Sequence, residues 1–174
     1  LDVMNGVMPG TMLLAFTSLA AASVMLGIDR GLALAVPWLG ALAGYLVYNA
    51  YPASVFSGDC GSLAVGAAFA SIAVLTRLEF MALIALLPHL LNGLITLSSV
   101  GRLFERREVG ARPVKLLGDG RLAASSDRSA PITLTRLLLA SGPMAEPSVV
   151  GQMAALSAIS GALAIATAWL MVVF

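Results

Sequence analysis

Charge is scarce in this sequence. Only 11% of its 174 residues are Asp, Glu, Lys or Arg and 59% are hydrophobic, against roughly 25% and 45–50% in an average soluble domain. With a mean hydropathy of +0.95, a 17.8 kDa particle could not cover itself with polar groups, so a water-soluble globule is excluded. The chain has one cysteine, Cys60, which rules out an intrachain disulfide and a zinc-finger type of metal site. No long basic run argues for a nucleic-acid partner. The apolar runs lack the alternation of a transmembrane barrel strand, which leaves helices as the spanning form. There is no internal repeat. Leu1-Asp2-Val3-Met4-Asn5-Gly6 has neither an initiator methionine nor a basic n-region, and a fragment of a longer protein is expected.

What is present is a series of apolar runs of membrane-spanning length. About 20 residues cross roughly 30 Å of hydrocarbon as a helix. Residues 10–28, 31–48, 61–76, 80–100 and 149–174 qualify, the third being short but rich in the small residues that let helices pack closely. The expected fold is all-α, a polytopic transmembrane bundle of five spans. Counting crossings puts residues 1–9, 49–60 and 101–148 on one face. Eight of the ten basic residues lie there: Arg102, Arg106, Arg107, Arg112, Lys115, Arg121, Arg128 and Arg136. The positive-inside rule makes that face cytoplasmic.

The longest segment outside the membrane is the 101–148 loop. Within it, Gly118-Asp119-Gly120 separates Pro113-Val114-Lys115-Leu116-Leu117 from Arg121-Leu122-Ala123-Ala124, the pattern of a small β-hairpin. Pro131 then opens a leucine-dense run to Leu139, expected to be a helix on the membrane surface that ends at Gly142-Pro143.

The polar patch at residues 48–63 is unusual between two spans, and Asp59 is its only charge. A lone carboxylate at the mouth of a helical bundle points to function; equally, it could cap a helix starting near Gly61. Spacing alone leaves both readings open. His89, the only histidine, follows Pro88 inside a span and reads as a hydrogen-bonded interior residue, and Cys60 reads as a small filler.

Asn49, Tyr51-Pro52, Val55-Phe56-x-Gly58-Asp59 and Gly61-Ser62-Leu63 resemble the polyprenyl-phosphate N-acetylhexosamine-1-phosphate transferases, glycosyltransferase family 4. Asn5-Gly6, the Pro88 and Asn92 pair, and Thr133-Leu134 through Gly142-Pro143 extend the resemblance over nearly the whole chain. The last segment looks like the eukaryotic and archaeal branch, which acts on dolichyl phosphate. The family fold has about ten transmembrane helices, and this chain resembles the C-terminal half. The family's Asp-Asp motif is absent, since no two aspartates are adjacent, and its Mg²⁺-binding asparagine would fall upstream of Leu1.

The resemblance implies that Asp59 binds Mg²⁺, with Mn²⁺ as an alternative; a hard oxygen ligand suits either ion. It implies that Phe56 stacks on uracil, that Asn5 hydrogen-bonds the uracil edge and that Asn49 belongs to the substrate site. In the eukaryotic branch an Arg-His-Arg element touches the diphosphate and sugar, and the nearest counterparts here are Arg106, Arg107 and Arg112. The implied reaction moves GlcNAc-1-phosphate, or a similar HexNAc-1-phosphate, from a UDP-sugar to a dolichyl-type polyprenyl phosphate and releases UMP. The implied setting is a prokaryotic, archaeal cell membrane. The implied partners are the UDP-N-acetylhexosamine, the polyprenyl phosphate, membrane lipid, the N-terminal half of the enzyme and a second copy in a homodimer, with no nucleic acid. Two alternatives stand beside this: an undecaprenyl-phosphate enzyme of cell-wall or surface-polymer synthesis, and a non-catalytic membrane bundle.

Overall fold

A computed structural model describes residues 4–100 and 111–174. It is an all-α membrane fold with one small sheet. The helices are α1 (Val7–Met25), α2 (Asp29–Asn49), α3 (Gly58–Thr76), α4 (Glu79–Ala85), α5 (Leu87–Val100), α6 (Leu134–Leu138) and α7 (Glu146–Val173), with strands β1 (Val114–Leu116) and β2 (Leu122–Ala124) between α5 and α6. Among the described residues, α1, α2, α3 and α7 are each long and apolar enough to cross a membrane, and α4 with α5 makes a fifth span if the pair is counted as one. The chain divides into two units, one of Leu1–Leu87 with Met153–Phe174 and one of Pro88–Gln152.

In the first unit α1 is the central helix: 67% of its membrane-length window is buried, against 17% for α2 and 22% for α3. Phe16 anchors the packing, meeting Phe69 of α3 edge-on at 5.0 Å and stacking on Trp38 of α2 at 6.1 Å. Such aromatic contacts each add roughly 0.5–1.5 kcal/mol beyond area burial. Around them lie Met12, Leu19, Leu42, Ile72, Leu78 and Met81. Small residues set the closest approaches. A Cβ on Gly161 of α7 would sit 3.4 Å from Ser18 Cβ, and one on Gly31 of α2 only 2.6 Å from Ser23 Cβ. The turn from α3 to α4 uses Arg77 in the left-handed region, φ 58°. Leu78 N–H then donates back to Ala73 O at 2.9 Å and the Leu78 side chain is buried, a C-terminal closure in which an arginine stands where glycine is usual.

In the second unit the hairpin forms where the glycine turn predicts it, with Val114 opposite Ala124, Lys115 opposite Ala123 and Leu116 opposite Leu122. Met144 adds an antiparallel bridge to Leu122, with bonds of 2.8 and 2.9 Å. Two polar side chains of α5, seven residues apart and so on one face, hold the approach to α6. Ser99 Oγ accepts from Ile132 N–H at 3.0 Å and Asn92 Oδ1 from Leu134 N–H at 2.8 Å.

Three expectations change. The 80–100 run is two helices interrupted at Leu86, because Pro88 has no N–H to give and its ring crowds the carbonyl four residues back. The surface helix begins at Leu134, not Pro131, and Thr133 caps it by accepting from Arg136 N–H. The third span begins at Gly58, not near Gly61, which alters the reading of Asp59.

Gly31→Ala is expected to destabilise the first unit by about 1–3 kcal/mol through overpacking. The thermal midpoint of the detergent-solubilised protein measures this. Gly40→Ala, whose new Cβ would meet nothing within 4 Å, should leave the midpoint unchanged or raise it.

Candidate functional site

The polar patch between α2 and α3 is organised by the last residue of α2. Asn49 is fully buried. Its Oδ1 accepts from Gly6 N–H at 3.0 Å and its Nδ2 donates to Val55 O at 2.8 Å. Gly6 takes φ 78°, which a side chain would strain, and a Cβ there would lie 3.6 Å from Ala50 Cα. The turn carrying Asn5 therefore rests on the end of α2. The loop from residue 50 to 57 folds back on the same helix end, with Ser54 N–H donating to Tyr48 O at 2.9 Å. Asn5 is half-buried, and Phe56 presents its ring to the outside at 62% exposure.

Asp59 lies in the first turn of α3, after Ser57 at the cap position. The carboxylate is exposed, and among the described residues it makes no hydrogen bond or ion pair. It does not cap α3 in the way considered above, since the helix has already begun at Gly58. The positive end of the helix dipole favours a negative charge in that turn. An apolar groove of about 180 Å³, lined in part by Met8, Trp38, Tyr45, Ser57 and Val65, lies against the same helix. Asp59 is two residues from Ser57, about 200° around the helix at 100° per residue, so it projects from a different face than the groove.

The described residues contain no group of three His, Cys, Asp or Glu side chains that could hold a metal ion. A single carboxylate is still a fit for Mg²⁺, which commonly takes one or two from the protein and completes its octahedron with water and substrate phosphate.

The arginines divide by role. Arg106 and Arg107 lie outside the described residues. Arg112 belongs to the second unit and is exposed. Arg136 is structural: its guanidinium donates to Ser125 O at 2.9 Å, Asp127 O at 2.8 Å and Pro131 O at 3.3 Å, and also to Ala130 O. Arg121 closes the hairpin turn, its Nε donating to Asp119 Oδ2 at 2.7 Å and its backbone N–H to Oδ1 at 3.0 Å. Sequence reasoning gave these two only a topological role. Their acceptors are mostly backbone carbonyls, which have no sequence signature; the Asp-Gly-Arg order at the turn was the available hint.

The family model for Glycosyl transferase family 4 matches residues 1–77, the segment that contains Asn5, Asn49, Phe56 and Asp59. Phospho-N-acetylmuramoyl-pentapeptide-transferase of Geobacillus kaustophilus is 43% identical over 83 residues, 48% of this chain and 26% of that protein. The Bacillus subtilis protein of the same name is 41% identical over the same shares, and that of Geobacillus thermodenitrificans 44% over 80 residues, 46% of this chain and 25% of that protein. The match thus spans about a quarter of each relative's length. The family-level resemblance is supported. These relatives are bacterial, which moves the finer reading away from the eukaryotic and archaeal branch.

Hydrogen bonds from Arg121, first its N–H and then its guanidinium, hold the Asp119 carboxyl below the usual carboxylate range. Those from Ser129, hydroxyl first, do the same for Asp127. A depressed folded value means that each turn is stabilised above the unfolded pKa and loses that stabilisation as pH falls through the folded one. Nuclear magnetic resonance titration of the side-chain carboxyls should show both effects. In Arg121→Ala the Asp119 value should rise only part of the way toward normal, because the backbone N–H of residue 121 still donates to it, while that of Asp127 stays low.

Proposed function

We propose that this chain is part of a polyprenyl-phosphate sugar-1-phosphate transferase, which passes the sugar-1-phosphate of a UDP-sugar to a polyprenyl phosphate and releases UMP. The observation that carries the proposal is the place of Asp59: an exposed carboxylate without a protein partner among the described residues, in the polar patch that Asn49 organises and inside the segment that matches the family. A carboxylate serving only as a helix cap would be bonded to the first turn, which disfavours the non-catalytic bundle. The names of the bacterial relatives favour phospho-N-acetylmuramoyl-pentapeptide over GlcNAc-1-phosphate as the group transferred, and with it the undecaprenyl-phosphate alternative over the dolichyl one. The setting would be a bacterial cell membrane with the Asp59 face cytoplasmic, where UDP-sugars are found.

In this reading Asp59 would hold the divalent ion, Mg²⁺ or Mn²⁺. When bound, the ion neutralises charge that develops on the transferring phosphoryl group and on the leaving UMP. Phe56 offers its exposed face to the uracil ring. Asn5 supplies the donor and acceptor that recognition of a base edge requires. By resemblance, Arg106, Arg107 and Arg112 are the candidates for a diphosphate contact. The acceptor phosphate attacks the β-phosphorus, and the protein's contribution is chiefly positioning and charge compensation.

The test is transfer of labelled sugar phosphate from the UDP-sugar to polyprenyl phosphate by the full-length protein in membranes. Asp59→Asn is expected to lower the rate by about 100-fold or more, as for loss of one electrostatic contact to a transition state, with unchanged protein level. Wild-type rates in that variant would refute the metal assignment.

A further inference from the structure

We infer that Asn49 is a positioning residue whose single amide sets the spacing between the turn of Asn5-Gly6 and the loop that delivers Phe56 and Asp59. The inference rests on the proposed function and deepens it. Asn49 was assigned above, by resemblance, to the substrate site; the geometry points to an indirect role. Both ends of its amide are engaged by backbone: Oδ1 by Gly6 N–H at 3.0 Å and Nδ2 by Val55 O at 2.8 Å. The side chain is fully buried at the end of α2, where desolvation makes an unmade bond costly. Each backbone partner is the sequence neighbour of a candidate nucleotide contact, Gly6 of Asn5 and Val55 of Phe56. Val55 is also four residues before Asp59 in the same loop and first helical turn.

One rigid amide therefore couples two recognition elements whose bonded residues, Gly6 and Val55, are 49 residues apart in sequence. The left-handed Gly6, packed 3.6 Å from Ala50 Cα at the position a Cβ would take, keeps its N–H directed at Asn49. A residue that only contacted substrate would influence donor binding alone. Asn49 should influence donor binding and the divalent ion together, because the base-stacking ring and the metal carboxylate follow Val55.

The experiment uses the full-length protein and reads two quantities: the KM for the UDP-sugar and the Mg²⁺ concentration giving half-maximal transfer. Hydrogen–deuterium exchange of the peptides covering residues 4–7 and 53–59 is followed in parallel. Asn49→Ala is expected to raise both constants about 10-fold or more, the range for loss of a supporting hydrogen bond around a metal site, and to speed exchange in both peptides. Asn5→Ala should raise the KM alone. Asn49→Asp keeps the acceptor for Gly6 N–H but loses the donor to Val55 O, so it should speed exchange at 53–59 only; this keeps the test decisive if the alanine variant is poorly folded. Unchanged exchange in either peptide of Asn49→Ala overturns the coupling. A rise in KM without a shift in Mg²⁺ dependence would make Asn49 a direct contact, and a loss of active protein with both constants unchanged would make it merely structural. If the wild type transfers nothing, the functional reading falls, and the exchange pattern alone decides whether the amide couples the loops.

Discussion

Hydrocarbon supplies no hydrogen bonds, so a polar group in a spanning segment is stabilised by a partner inside the protein. In the first unit the hydroxyls of Thr11, Ser18, Ser23 and Thr76 meet this demand locally, donating to carbonyls three or four residues earlier at 2.7–2.8 Å. Satisfied in this way, they leave the helix surfaces free to pack through Phe16, Phe69 and the small residues around them. Asn49 does otherwise. It spends its amide on two separate loops, and the polar patch at the end of α2 takes its shape from those bonds.

Asp59 stands in that patch. In the second unit Asp119 is tied to Arg121 and Asp127 to Ser129, and Arg136 gathers four backbone carbonyls. Asp59 has no such tie among the described residues. Asp29 and Glu79, in the first turns of α2 and α4, are exposed and untied as Asp59 is, and what sets Asp59 apart is its place in the polar patch that Asn49 organises. A first-turn carboxylate that is exposed and uncommitted remains available for a cation, water or a phosphate-bound ion.

Much of this was legible in the sequence. Uninterrupted apolar runs of about 20 residues mark α1, α2, α3 and α7, because hydrophobic length alone decides whether a helix can span. Gly118-Asp119-Gly120 marks the hairpin, because a tight turn needs those residue types. The break at Leu86 was harder: the run from 80 to 100 carries no charge and reads as one span, and only Pro88 signals that the helix cannot continue. The beginning of α3 was read three residues late, and that shift kept the capping role of Asp59 open. Least legible were Asn49, Asn92, Ser99 and Arg136, each of which binds backbone groups five or more residues away. A backbone N–H or carbonyl is the same at every position, so no residue pattern announces such a bond.

The most direct measurement is the position of the metal. In crystals of the full-length protein with a UDP-sugar and Mn²⁺, anomalous scattering should place the ion about 2.1 Å from an Asp59 carboxylate oxygen, the distance for a small hard divalent cation. An ion held on the donor diphosphate by other residues, with Asp59 turned away, would contradict the account.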